Sequence, residues 1–207
     1  MTNKHYSQYL LISGAVFALY ILLYLFVDKP IALAVHAMTH PTLFHAAKII
    51  SHLGNYKLWI IISAAFSLVS FALLALGYQF SAHARKALFV FCSVFLAVVI
   101  GAVVKFVLAR ARPELLFEKG IYGFHFFSFQ ESYTSSPSGH TLSIFAVATS
   151  LSMLCKRYAP LFFLVAVCVG LSRIIVDAHY VGDVLLGAYV GVMAAMLCKR
   201  VPYFSTV

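Results

Sequence analysis

Charge is scarce in this chain. Of its 207 residues only 10% are Asp, Glu, Lys or Arg, while 63% are hydrophobic. Carboxylates are the scarcest, six Asp and Glu against fifteen Lys and Arg. Apolar residues run along almost the whole length, which excludes a soluble single domain: a chain of this size cannot hide so much apolar surface. Cysteine is sparse as well. Cys92, Cys155, Cys168 and Cys198 show no C-x-x-C spacing, so metal and redox motifs are disfavoured and small packing residues are expected. Proline is missing from the interior of every apolar run. Pro30, Pro41, Pro113, Pro137, Pro160 and Pro202 all fall between runs or at their ends, where a missing N–H does little harm.

What is there is a series of long apolar segments. A spanning helix needs about 20 apolar residues. Six candidates occur, at 9–27, 58–78, 87–108, 138–155, 160–176 and 180–198. Backbone polar groups in lipid must be satisfied within the segment, so helices are expected throughout. The first run is longer than a signal-peptide core, and it is read as a span rather than a cleaved leader despite Ala32-Leu33-Ala34. Between the first two spans, Leu43, Ala46, Ala47, Ile50 and Leu53 recur at helical spacing, with His45, Lys48 and His52 opposite and Gly54 as a stop. The expected fold is therefore all-α, a polytopic membrane protein of one domain over residues 1–207. It has six transmembrane helices and an interfacial amphipathic helix.

The basic balance has a topological explanation. With six spans, Lys4, Arg85, Lys86, Lys156, Arg157, Lys199 and Arg200 share one side with no acidic residue. The positive-inside rule makes that side cytoplasmic, with both termini, in an inner membrane. The other side carries the remaining eight basic residues and all six acidic ones, and a nucleic-acid partner is not needed. His36, His40, His45 and His52 suggest a metal, but no carboxylate or Cys accompanies them, so none is expected. Residues 109–137 form the one long polar connection, with His125 among many aromatic rings; an interfacial loop or a lid beside a site is expected there.

Two charged patches stand out against this background. Lys105, Arg110 and Arg112 close one apolar run, and Arg173, Asp177, His179 and Asp183 interrupt another. An ionisable group at membrane depth costs about 2.5–3.5 kcal/mol even on mild scales, so such residues are functional candidates. Between the patches lies Ser136-Pro137-Ser138-Gly139-His140. Ser136 reads as an N-cap and Pro137 as the first helical residue. The N–H groups of Ser138 and Gly139 would then point at an anion, which Gly139 lets approach closely. Lys105, Arg112 and Arg173 would add charge, Arg112 through a two-pronged fork.

His179 and Asp183 are four apart and would share a helix face. A carboxylate bonded to one imidazole nitrogen fixes the tautomer and raises basicity at the other. That nitrogen can attack phosphorus, giving a phosphohistidine for water to hydrolyse, while His140 protonates the leaving group. The spacing alone gives Arg110 and Asp177 no role.

The ordered set Lys105-x6-Arg112-Pro113, Pro137-Ser138-Gly139-His140 and Ser172-Arg173-x5-His179-x3-Asp183 resembles the three-part signature of the type 2 phosphatidic acid phosphatase (PAP2) family. The resemblance covers residues 105–183, and Ser136 departs from it where an aromatic often precedes the proline. It implies a metal-independent, cofactor-free phosphoric monoester or pyrophosphate hydrolase. His179 would be the nucleophile, Asp183 its orienting acid and His140 the general acid. Lys105, Arg112, Ser138, Gly139 and Arg173 would bind phosphate. The expected substrate is a lipid phosphate or pyrophosphate arriving sideways from the bilayer: undecaprenyl pyrophosphate, phosphatidylglycerol phosphate, phosphatidic acid or a lipid A phosphate. A lipid phosphotransferase using the same phosphohistidine, and a non-enzymatic lipid transporter, are the alternatives. Oligomeric state is not legible.

Overall fold

The computed structural model describes residues 2–38, 40–77 and 81–204, and among them it is helical with no strand. The helices are α1 (Thr2–Phe26), α2 (Asp28–His36), α3 (Pro41–His52), α4 (Tyr56–Ala75), α5 (Ser81–Leu108), α6 (Pro113–Lys119), α7 (Gly139–Leu154), α8 (Ala159–Ile175) and α9 (Val181–Lys199). Each expected apolar run is occupied by a helix. The end of the second run, and the loop that follows, lie partly outside the described residues. Among the described residues five helices are long and apolar enough to cross a membrane; α7 is a shorter apolar helix of 16 residues.

α7 is the axis of the bundle. Its Leu142, Ala146 and Val147 close a core with Val94 and Ala97 of α5 and Val190 and Ala194 of α9. Its opposite side, Ile144 and Ala148, packs on Ala166 and Val169 of α8. Small residues allow this proximity, as is common where helices pack without water to drive them together. A Cβ at Gly191 would collide with the Leu142 carbonyl, so α9 lies backbone to backbone on α7. The outward faces of α1 and α4 stay apolar and exposed, as at Leu10, Leu11, Phe66 and Leu68.

Three local features differ from expectation. The segment after α1 holds two helices, α2 and α3, where one was expected. The face that α3 buries is Ala47 and Ser51, while Leu43, Ile50 and Leu53 remain exposed, so the protein covers only an edge of the apolar stripe. The 109–137 connection is not a plain loop. It contains α6, whose first residue is Pro113, and a bridge pairing Arg110 with Phe124. A local propensity for helix after Arg112-Pro113 and a distant backbone partner are both invisible to hydropathy.

Candidate active site

Three segments meet where α5, α7 and α9 end or begin. α5 runs to Leu108, and its last turn carries Lys105. Ala109 then takes a left-handed φ of 40°, which a residue with a Cβ adopts only under constraint. Here the constraint is backbone pairing: His125 N–H donates to the Ala109 carbonyl at 2.8 Å, and Ala111 N–H to the Gly123 carbonyl at 2.9 Å. The turn sends Arg110 inward and leaves Arg112 half-buried. Lys105 Nζ donates to the Thr134 carbonyl at 2.5 Å, and Arg112 donates to Glu131 O and Thr134 Oγ1, both at 3.1 Å. Thr134 therefore holds both cations.

The helix expected to bind an anion begins later than its sequence suggests. Ser138 is the N-cap of α7 and Gly139 its first residue. Ser136 lies outside the helix, fully buried, and its Oγ accepts from the Tyr20 hydroxyl at 3.0 Å. Ser138 N–H, expected to be free for an anion, donates to the Asp183 carbonyl at 3.0 Å. That bond ties the start of α7 to the start of α9. The first-turn N–H groups of Gly139, His140 and Thr141 are the ones without a helical acceptor. A Cβ placed on Gly139 would meet nothing within 4 Å, so space opens beside that turn. Ser138 Oγ accepts from Thr141 Oγ1 at 3.0 Å, which leaves its own proton available.

His179 does not lie on a helix with Asp183. It sits in the turn between α8 and α9, after Asp177 at φ 56°, and its N–H donates to the Arg173 carbonyl at 3.2 Å. Asp183 is in the first turn of α9, where its carboxylate accepts from Tyr180 N–H at 3.0 Å. His179 Nδ1 stands 3.8 Å from Asp183 Oδ2, an ion-pair distance too long for a hydrogen bond. The carboxylate is occupied instead by Ser135 Oγ at 2.6 Å on Oδ2 and by Arg110 at 2.8 Å on Oδ1.

The site's charges act on one another. Lys105 and Arg173 act on both His140 and His179, and Arg112 acts on His140, Lys105 and Arg173. Lys105, Arg112, His140, Arg173 and His179, drawn from all three segments, thus lie near enough to act on one another's charge. His179 is almost fully buried, and burial pushes its imidazole down to about 3. The Lys105 and Arg173 charges push the same way, while Asp183 opposes them. The imidazole is accordingly neutral at ordinary pH. Among the described residues no three His, Cys, Asp or Glu side chains gather as a metal site. A crevice of about 140 Å³ opens beside Lys105 and Gly139 and runs between Ala102 and Val98 of α5 and Leu142 of α7.

The family model of the PAP2 superfamily matches residues 86–206, more than half of the chain. The chain belongs to the PAP2 superfamily. It is 30% identical over 109 residues to a lipid A 1-phosphatase of Rhizobium johnstonii, a stretch covering 53% of this chain and 45% of that protein. It is 31% identical over 103 residues to a lipid A 1-phosphatase of Rhizobium etli, covering 50% and 44%. The chain thus matches less than half the length of these curated relatives. The fold is that of two crystal structures at 22% identity. Aquifex aeolicus LpxE aligns with TM-score 0.56, over 84% of this chain and 95% of that one. A transmembrane PAP2 type phosphatidylglycerolphosphate phosphatase from Bacillus subtilis aligns with TM-score 0.60, over 90% and 93%.

Several residues of this PAP2 site were not legible as such. Arg110 is fully buried between Asp183 and Asp28 rather than facing an anion. Ser135 and Thr134 hold Asp183 and the cations. Ser51 of α3 accepts a very short hydrogen bond from Arg173, and His52 acts electrostatically on His140. The available signal was scarcity: in a chain with six carboxylates, Asp28 directly after an apolar run required a partner.

Proposed function

We propose that this PAP2 protein is a membrane phosphatase that hydrolyses a lipid phosphate or lipid pyrophosphate through a phosphohistidine. The observation that carries the reading is the convergence of Lys105, Arg112, Arg173, His140 and His179 on the open first turn of α7. The three cations and the N–H groups of Gly139 and His140, with the Ser138 hydroxyl, hold the phosphoryl oxygens. His179, kept neutral by its surroundings, attacks phosphorus with Nε2. The P–O bond to the lipid breaks, and His140 gives its proton to the departing oxygen. Water then attacks the phosphohistidine, giving its proton to His140, and phosphate leaves with His179 restored. Charge neutralisation comes from the side chains, so the mechanism is metal-independent.

Six spans are assigned, α1, α4, α5, α7, α8 and α9, with α3 lying in the headgroup region and its uncovered apolar residues in lipid. The positive-inside distribution puts both termini in the cytoplasm and the site at the periplasmic face of the inner membrane. The lipid tail reaches the site through the crevice beside Lys105. Among candidate substrates a lipid A phosphate is placed first, because the curated relatives are named for one.

The test is phosphate release by purified protein from a panel of lipid phosphates in detergent. Release from at least one lipid, abolished by His179→Gln, is expected. Full hydrolysis by His179→Gln would overturn the mechanism, and absence of release from every lipid would overturn the function.

A further inference from the structure

Behind the site lies a chain of three charges with no exposed surface. Arg110 donates from Nη1 to Asp183 Oδ1 and from Nη2 to Asp28 Oδ2, both at 2.8 Å, and all three side chains are 0% exposed. Gly182 N–H donates to Asp28 Oδ1 at 2.8 Å. Both Asp28 oxygens thus receive N–H donors, which suits a carboxylate and leaves no acceptor for a carboxylic proton. Aromatic rings enclose the guanidinium, with Tyr180 at 4.3 Å and Tyr24 at 5.1 Å from its carbon. Tyr122 accepts from Arg110 and its hydroxyl donates to the Tyr24 carbonyl at 2.6 Å. Sealed in this way, Arg110 cannot be a phosphate ligand, unlike the half-buried Lys105, Arg112 and Arg173.

An arginine beside Asp183 has two opposed effects. It fixes the carboxylate, but it also cancels the negative charge that His179 needs nearby. Asp28 resolves the conflict. With it, the cluster carries two negative charges and one positive, and so remains anionic toward His179. Lys105 of α5 and Arg173 of α8, both positive, also act on His179, opposed by the negative Asp183 of α9. The balance at the imidazole therefore depends on what stands behind Asp183.

We propose that Arg110 and Asp28 are positioning residues for the reaction at His179. Arg110 locks the Asp183 carboxylate, and Asp28 supplies the second negative charge that keeps Asp183 an effective partner for the imidazole. Asp28 also grips Gly182, next to Asp183, and so aligns the start of α9. The inference rests on the phosphohistidine reading above.

The experiment uses the full chain in detergent, with Asp28→Asn, Asp28→Glu, Arg110→Lys and His179→Gln in parallel. Lipid phosphate turnover is measured at saturating and limiting substrate. Sites are counted by calorimetric binding of inorganic phosphate, so that kcat refers to folded sites. Asp28→Asn is expected to lower kcat about tenfold or more, with KM and phosphate affinity within about threefold of wild type. Asp28→Glu should recover part of the loss. Should Asp28→Asn fail to fold, Arg110→Lys carries the test: it keeps the charge but not two separately aimed donors, and kcat should fall with KM held. Unchanged kcat per site in whichever of these folds would overturn the proposal, as would a rise in KM that accounts for the whole loss. Activity retained by His179→Gln would instead remove the phosphohistidine reading, and this inference with it.

Discussion

Gly54 and His140 meet with no room for a methyl group between them. A Cβ on Gly54 would lie 2.8 Å from His140 Cβ, 3.0 Å from the His140 carbonyl oxygen and 2.6 Å from Val169 Cγ1. Ser143 Oγ fastens the same point, donating to the Gly54 carbonyl at 2.6 Å. The turn after α3 is thus the wall against which His140 is set.

Gly54→Ala should therefore act on catalysis as well as on stability. Two of the three atoms in the way are backbone or branch-point atoms that cannot rotate aside, so His140 or the turn must move. Overpacking of this kind costs about 1–3 kcal/mol. A displacement of the general acid should lower kcat about tenfold or more. Phosphate release at saturating lipid, alongside the thermal midpoint, separates the two effects; an alanine variant with wild-type kcat would contradict this placement of His140.

Much of this site is readable in order along the chain, because each of the three segments is local. Lys105 lies in the last turn of one helix and Arg112 just beyond its end, Ser138 to His140 open another, and Arg173 and His179 flank a turn. Apolar runs are equally local, which is why each expected run holds a helix. The parts that were not legible are pairings across long separations. Residues 28, 110 and 183 share no spacing, and only folding shows that Arg110 serves two carboxylates. The helix start at Ser138 rather than Ser136 has a similar cause. The Ser138 N–H is engaged by the distant Asp183 carbonyl, and Ser136 is engaged by Tyr20.

Arg112→Lys tests the forked cation. Lysine keeps the charge but not the planar fork that can meet Glu131, Thr134 and phosphate together. KM for the lipid phosphate should rise about tenfold, with a smaller fall in kcat. An unchanged KM would show that Arg112 supplies charge alone.

Ser51→Ala tests the link between α3 and Arg173. Ser51 is buried and receives the Arg173 guanidinium, so its hydroxyl fixes where that cation points. Its loss should weaken competitive inhibition by inorganic phosphate about threefold to tenfold, the size of an ordinary net hydrogen-bond contribution felt through the aim of Arg173. The inhibition constant measures this directly, and a value equal to wild type would place the phosphate elsewhere.

Vanadate and chelators give opposite expectations. Vanadate adopts five-coordinate geometry, so a site with a nucleophile and three cations around one phosphorus position should bind it and be inhibited. EDTA should leave the rate unchanged, because Lys105, Arg112 and Arg173 supply the positive charge. Activity lost in EDTA and restored by Mg²⁺ would contradict the metal-independent mechanism.

Acid should destabilise this protein through His179. Burial lowers its pKa from 6.5 to about 3 in the folded chain, with the Lys105 and Arg173 charges adding to the effect. Unfolded, the imidazole returns to the ordinary value and binds a proton more readily. Between those two pH values the unfolded chain binds more protons, so stability rises with pH there. The contribution of His179 is complete above pH 6.5 and is lost as the pH falls toward 3. His179→Gln cannot titrate and removes this dependence. Thermal midpoints in detergent, taken from pH 7 down to about pH 4, should therefore fall more steeply for wild type than for His179→Gln. Other groups titrate in both proteins and cancel in the difference. Parallel curves for the two would mean that the imidazole is not held neutral by its surroundings, and the nucleophile would then need another source of activation.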